Sequence, residues 1–237
     1  MAIVKLGLSG GKDSTCAAFL HLERGDTVKA VCYIPFFTEE IPLLTKRHYE
    51  FILALSERLK KEGAEVFAAR GMTYTEYVMH IATRGKFKGK PFGFPCFKRS
   101  QCGFKRDSKE KAIRAIDVGF FDYESVGIAA DEPARFGILS DKKRSILVET
   151  GKTERFCNRF CYKRGVLSPH YEYAKRDGCV LCPNASELER NIWFQDYPQA
   201  KQQLIALQEF VKRSKPGFYP LRGKQWFIDT DQITFFD

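Results

Sequence analysis

The chain has 237 residues, of which 44% are hydrophobic and 29% charged, and this composition excludes a disordered or low-complexity polypeptide. No apolar run approaches the ~20 residues of a membrane span, and "MAIVKLGLSGG" lacks the features of a secretory leader, so the expected location is cytoplasmic with no membrane partner. A formal charge of +10, from 39 basic and 29 acidic residues, favours anionic partners: nucleotides, nucleic acid or both.

"AIVKLGL" is a β-rich run ending in a Gly-rich turn, and "DSTCAAFLHLERG" reads as a helix capped by Asp13 or Ser14 and stopped at Gly25. "TVKAVCYI" is a second strand. "LLTKRHYEFILALSERLKKEG" has the apolar spacing of a long amphipathic helix, and "AEVFAAR" is a third strand. "TYTEYVMHIATRG" is predicted helical, and "KFKGKPFGFPCFKRSQCGFKRDS" an irregular basic loop. "KEKAIRAI" is helical and "YESVGIAA" is a fourth strand. This alternation predicts an α/β fold with a doubly wound, mostly parallel, Rossmann-like sheet. The pattern changes near Lys142, which predicts a core of residues 1–142 and a cysteine-containing, helical region of 143–237 packed on it. In that region "SELERNIWFQDYPQAKQQLIALQEFVKRS" reads as helices broken near Pro198, and "KQWFID" as a strand.

"SGGKDS" lies between the first strand and the first helix, at the carboxyl edge where parallel sheets bind ligands. Gly10 and Gly11 allow close backbone approach to an oxyanion. Ser9 and Ser14 add hydroxyls, Lys12 adds a point charge, and Asp13 suits a helix cap or a group facing a phosphate-bound metal ion. This is not the G-x-x-x-x-G-K-[ST] loop of ordinary NTPases. It resembles the PP-loop, SGGxDS, of the ATP pyrophosphatase superfamily, met by Ser9, Gly10, Gly11, Asp13 and Ser14. The resemblance implies an adenine nucleotide alpha hydrolase-like core that binds ATP with Mg²⁺ and cleaves it between the α and β phosphates.

"GIAADEPARF" follows the fourth strand and carries Asp131, Glu132 and Arg135. It resembles the "GIRADES..R" stretch of the phosphoadenosine phosphosulfate (PAPS) reductase-like branch, with Ala129 and Pro133 in place of arginine and serine. Lys12, Asp13, Asp131 and Glu132 are the candidate catalytic residues, with Arg135, matched to that branch, and Arg176, just before the CxxC, as candidate nucleotide contacts beside the loop.

Six of the eight cysteines lie between Cys96 and Cys182. Cys179 and Cys182 form a CxxC whose spacing suits one metal ion, and Cys157 and Cys161 share a helix face. "CYKRGVLSPHYEYAKRDGCVLCPN" resembles a PAPS reductase-like stretch in which a cysteine precedes "GLLSP.Y" and "R.GC..CPN" follows. "CGFKRDSKEKAI" resembles the family's "C..nRdCK..PI", with Ser108 in place of a cysteine. The resemblance implies Cys102, Cys161, Cys179 and Cys182 as ligands, with Cys157 and Cys96 as substitutes. It implies a [4Fe–4S] cluster, and four thiolates equally accept Zn²⁺. His48, His80 and His170 read as isolated core or surface residues.

The reductases of that family use a cysteine near the C-terminus, whereas the last cysteine here is Cys182. The expected reaction is therefore adenylation with pyrophosphate release, serving sulfur transfer from a sulfur-donor protein, with DNA or RNA as an acceptor that the basic loop could bind. The alternatives are an APS/PAPS reductase-type oxidoreductase, and a non-catalytic nucleotide-sensing module with a structural metal.

Overall fold

Val4, Leu6 and Leu8 are fully buried while Ile3, Lys5 and Gly7 are half-buried, the period-two alternation of strand β1 (Ile3–Leu8). The computed structural model describes residues 1–33, 41–95, 97–98, 101–176, 178–221 and 223–229, with the backbone alone at 97, 98 and 101. Two compact units divide the chain. One comprises Met1–Ile34, Arg47–Arg70 and Ala112–Asp177, and the other Pro35–Lys46, Gly71–Lys111 and Gly178–Asp237. Residues 143–177 thus belong with the N-terminal strands.

In the first unit, β1 is followed by α1 (Lys12–Glu23), β2 (Thr27–Tyr33), α2 (Lys46–Lys61, from Arg47 onward) and β3 (Glu65–Ala69). Gly25 at φ 83° and Gly63 at φ 96° end the two helices, as left-handed residues commonly do. Ile52, Leu55 and Leu59 are the buried stripe of α2, at the spacing of one helix face. Later elements are α4 (Lys111–Ala115), β6 (Tyr123–Ser125), β7 (Lys143–Arg144), α5 (Ile146–Glu149) and α6 (Glu154–Lys163). Ser145 and Thr153 cap the last two helices with their hydroxyls.

The strands form an all-parallel five-stranded sheet in the order β3-β2-β1-β6-β7, flanked by helices, which is consistent with a Rossmann-like fold. Helix α1 packs on β1 and β2 and against α5 and α6. The chain winds outward from β1 to β3 and then crosses back to place β6 beside β1. The order thus reverses at the carboxyl ends of β1 and β6, where sheets of this class bind ligands. The predicted strand over 123–130 ends at Ser125, because the chain bends through Gly127 against the start of α1. His21 donates its Nδ1–H to the Asp26 carboxylate and pairs through Nε2 with the Ser125 hydroxyl, each at 2.8 Å. His21 is fully buried and Ser125 is 1% exposed, so this serine–histidine–aspartate chain is a structural tie between α1, β2 and β6.

The second unit contains α3 (Tyr74–Met79), an antiparallel pair β4 (Phe97–Lys98) and β5 (Gln101–Cys102), a π-helical turn at Lys105–Glu110, α7 (Glu187–Asp196) and α8 (Pro198–Ser214). Thr73 with Glu76, and Ser186 with Glu189, form reciprocal capping boxes. Pro198 occupies the first turn of α8, where its missing N–H is harmless. Two sequence expectations change here. The helix predicted through Gly85 stops at Met79, because the chain turns back so that Phe92 N–H reaches His80 O at 2.8 Å. Residues 224–229 are no strand. Instead the Gln208 amide takes both backbone groups of Ile228, at 3.0 and 3.1 Å. Among the described residues no helix is long and apolar enough to cross a membrane.

Candidate functional site

The turn from β1 into α1 is built by its own residues. Gly10 sits at φ 83°, a conformation that side chains with a Cβ disfavour. A Cβ there would lie 2.9 Å from Ile52 Cγ1 and 3.6 Å from His48 Nε2. The Gly11 N–H donates to Ser9 Oγ at 3.2 Å, and the Ser14 hydroxyl donates to Gly11 O at 3.1 Å. The two serine hydroxyls are 3.0 Å apart. They were expected to face an oxyanion, and here they brace the loop. Among the described residues the N–H groups of Gly10, Asp13 and Ser14 form no hydrogen bond, the state of donors at an uncapped helix start. Gly10 and Gly11 are buried, and Ser9 is exposed.

Gly127, two residues past the end of β6, packs against the start of α1. A Cβ on it would stand 2.7 Å from Ser14 N, so only glycine lets the two backbones approach this closely.

Lys12 and Asp13 carry the charge of the loop. Lys12 Nζ lies 3.1 Å from Asp13 Oδ2 and 3.5 Å from Glu154 Oε1, with the lysine and aspartate side chains 13% and 19% exposed. Burial alone would lower the lysine's pKa, but Asp13 and Glu154 outweigh it and hold the ammonium above its ordinary value. Asp13 is pushed up by burial, which Lys12 opposes and Glu154 and Glu132 reinforce. Two carboxylates, Asp13 and Glu154, share the one lysine. Asp13 Oδ1 is buried with no hydrogen-bond partner among the described residues.

Asp131, Glu132 and Arg135 stand at the carboxyl side of β6 in different roles. Asp131 Oδ1 accepts the Glu154 N–H at 2.9 Å and so caps α6. Glu132 accepts from Arg135 Nη1 through both oxygens, at 2.8 and 2.9 Å, and from the Ala129 N–H at 3.1 Å. Its charge, after that of Glu154, adds to the upward push on Asp13. Arg176 is exposed near the end of the unit.

Neither a family model nor a curated protein matches this chain.

Several residues at this site went unread in the sequence. Tyr171 Oη accepts the Lys12 N–H at 3.1 Å, and Glu154 holds the Lys12 ammonium. His48 and His170, expected to be isolated, are buried and lie tilted against each other with ring centroids 4.9 Å apart, His48 beside Gly10. Tyr171 falls in the "SP.Y" portion of the stretch that carried the family resemblance, which was the one available signal. Glu154 and His48 had none, since both are positioned by helices packing around α1 or its preceding loop.

The expected metal ligands fall in both units. In the second, the thiols of Cys102, Cys179 and Cys182 surround Tyr74, a phenol held protonated first by burial and then by these three groups. Cys182 N–H turns back to Cys179 O at 3.1 Å, the knuckle expected of the CxxC. Burial also raises the Cys102 thiol. Cys161 belongs to the first unit, where its thiol donates to Lys12 O at 3.3 Å and is pushed up to about 12, chiefly by burial. Cys157 beside it is raised further, first by the neighbouring Cys16 thiol and then by burial. Cys96 lies outside the described residues. Among those described, no group of three or more His, Cys, Asp or Glu is placed to hold a metal ion.

Proposed function

We propose that the first unit binds ATP through residues Ser9 to Ser14 and cleaves it between the α and β phosphates, as a PP-loop adenylating enzyme of PAPS reductase-like type serving sulfur transfer. One observation carries this reading. A glycine turn with unbonded N–H groups and a lysine stands at the carboxyl ends of β1 and β6, where the sheet order reverses.

In this reading the β and γ phosphates receive the Gly10 and Asp13 N–H groups, and Lys12 turns from its carboxylates to the leaving pyrophosphate. An acceptor oxygen attacks the α-phosphorus. The bond to the bridging oxygen breaks, and the electron pair leaves with pyrophosphate, whose charge Lys12 offsets. The acceptor keeps AMP until a sulfur nucleophile displaces it. Mg²⁺ arriving with the triphosphate would neutralise phosphate charge, and the partnerless Asp13 Oδ1 is the carboxylate oxygen suited to hold it. Glu132 and Glu154 keep the site electronegative until the nucleotide is bound.

A second reading, nucleotide sensing without turnover, is favoured by the pairing of Lys12 with both Asp13 and Glu154, which leaves its charge already offset. The two separate in one assay. Incubation with Mg²⁺ and a panel of ATP, APS and PAPS should release pyrophosphate from ATP in the enzyme reading. Tight ATP binding without pyrophosphate supports the sensor, and sulfite from PAPS with a thiol donor supports the reductase.

A further inference from the structure

Between Glu76 and Asp107 the sequence has thirty residues, no acid, and eight cations at 84, 86, 88, 90, 98, 99, 105 and 106. Such a run repels itself unless something anionic covers it.

The part of it around residues 81–91 is an ordered finger of the second unit. Ile81 bridges Pro91 in antiparallel sense. Ala82 N–H reaches Lys90 O at 2.9 Å, and Gly89 N–H returns to Ala82 O at 2.8 Å. Gly85 at φ 80° and Gly89 at φ 78° make the tight turns. Arg84, Lys86, Lys88 and Lys90 are all exposed, and none forms an ion pair among the described residues. Phe87 stands at the tip, 41% exposed, with Lys86 Nζ 6.0 Å and Lys215 Nζ 4.9 Å from its ring centroid.

The end of α8 links this finger to a cavity in the same unit. Lys215 donates to Phe92 O at 2.6 Å on the finger's stem. One turn earlier, Lys212 lies 5.3 Å from the Trp226 ring centroid. Trp226 and Tyr219, with ring centroids 5.3 Å apart, line a cavity of about 900 Å³ that also presents Arg190 and the acids Glu187 and Glu209. That volume accommodates a nucleobase with its sugar. Aromatic faces stack bases of any kind, lysines and arginine meet phosphates, and carboxylates accept from base N–H groups, the ring N3–H of thymine among them.

We propose that the finger and this cavity together form a binding surface for single-stranded nucleic acid. The strand's phosphates lie along Arg84, Lys86, Lys88 and Lys90, and one unstacked base enters the cavity against Trp226. A duplex cannot use the cavity, because its bases are already paired and stacked. The proposal stands whether or not the loop at Ser9–Ser14 turns over ATP.

The test measures binding of a labelled oligothymidylate roughly 16 nucleotides long to the full chain, by anisotropy and by intrinsic tryptophan fluorescence. Trp193 is fully buried with its N–H on Pro42 O, so quenching on binding reports Trp226. The expected result is binding with quenching, weaker for the corresponding duplex. Replacing Lys86, Lys88 and Lys90 together by Ala should weaken binding about tenfold or more and flatten the log-affinity against log-salt slope by about 2. Trp226→Phe should abolish the quenching while affinity changes less than about threefold, since a phenyl face still stacks. Gly10→Ala should leave all of this unchanged. Heparin or anionic vesicles bound as tightly as the oligonucleotide, duplex preferred over single strand, or binding without quenching would each overturn the proposal.

Discussion

The hydroxyl of Tyr171 accepts the backbone N–H of Lys12 at 3.1 Å across 159 residues of sequence, and the Lys12 ammonium stands 5.8 Å from the same ring. The tyrosine thus occupies a donor that an anion at the helix start would want. Tyr171→Phe should destabilise the ligand-free protein by ~1 kcal/mol in urea melts. It should also tighten pyrophosphate binding severalfold by calorimetry, because the N–H is released. Binding weakened tenfold would mean that Tyr171 itself contacts the ligand.

The glycines at 10 and 127 differ in what a methyl would do. At Gly10 it meets the flexible Ile52 and an unfavourable φ of 83°, for ~1–2 kcal/mol. At Gly127 it meets the backbone of Asp13 and Ser14 within 3.0 Å, which cannot yield without moving the helix start. Gly127→Ala should therefore be the more damaging to ATP affinity, by about tenfold or more, with ~1–3 kcal/mol of stability lost. Comparable affinity in the two variants would dissociate the helix start from nucleotide binding.

Asp13→Asn removes a carboxylate whose charge the native site disfavours, while Glu154 still holds Lys12. The ligand-free variant should melt at or above the wild-type temperature, yet release pyrophosphate roughly a hundredfold more slowly. The pH dependence has a definite sign. The folded carboxyl titrates above its unfolded value near 3.8, so the native state takes its proton first on acidification. Wild type should gain stability relative to Asp13→Asn as pH falls through that folded pKa. A parallel pair of stability curves would remove the buried charge from the account.

Alkali should act through α6. The folded Cys161 thiol titrates at about 12 and Cys157 higher still, against 9.0 unfolded, so their protonated forms contribute stability below pH 9.0 that is lost as pH rises towards 12. Urea midpoints should fall between pH 8.5 and 10.5 at about that boundary. Cys161→Ser, which keeps a donor for Lys12 O without an accessible ionisation, should show a shallower fall.

His21 has the opposite sign. Burial, aided by Arg24, depresses its pKa despite Asp26, so the native ring is neutral. The unfolded chain binds the extra proton, and stability should drop as pH falls below 6.5. His21→Ala leaves the Ser125 hydroxyl unpaired while Asp26 keeps Arg24 and the Ala2 N–H, and should lose ~1–3 kcal/mol, read in urea at neutral pH, with less of this acid dependence remaining.

The strands and the first helices were legible because each declares itself locally. Val4, Leu6 and Leu8 alternate, Ile52, Leu55 and Leu59 share a helix face, and Gly25 and Gly63 stop helices by tolerating positive φ. The segments that misled were those whose backbone partners are remote. Residues 224–229 have the composition of a strand, but a side-chain amide from α8 takes the backbone of Ile228 in place of a neighbouring strand. Residues 80–85 carry helical composition, yet Phe92 and Gly93 capture the carbonyls of His80 and Val78 from across a turn.

For the site, the order of residues alone determined the loop: two glycines, a lysine, an aspartate and a serine between a strand and a helix, with their conformational freedom and charge. Only the folded chain decided what those charges meet. Glu154 reaches Lys12, Tyr171 takes its N–H, and Cys161 turns its thiol to the Lys12 carbonyl because α6 and the segment after it pack around the start of α1. Hydrogen bonds and ion pairs act over a few ångströms of space, and separation along the chain leaves them unspecified until packing brings the groups together.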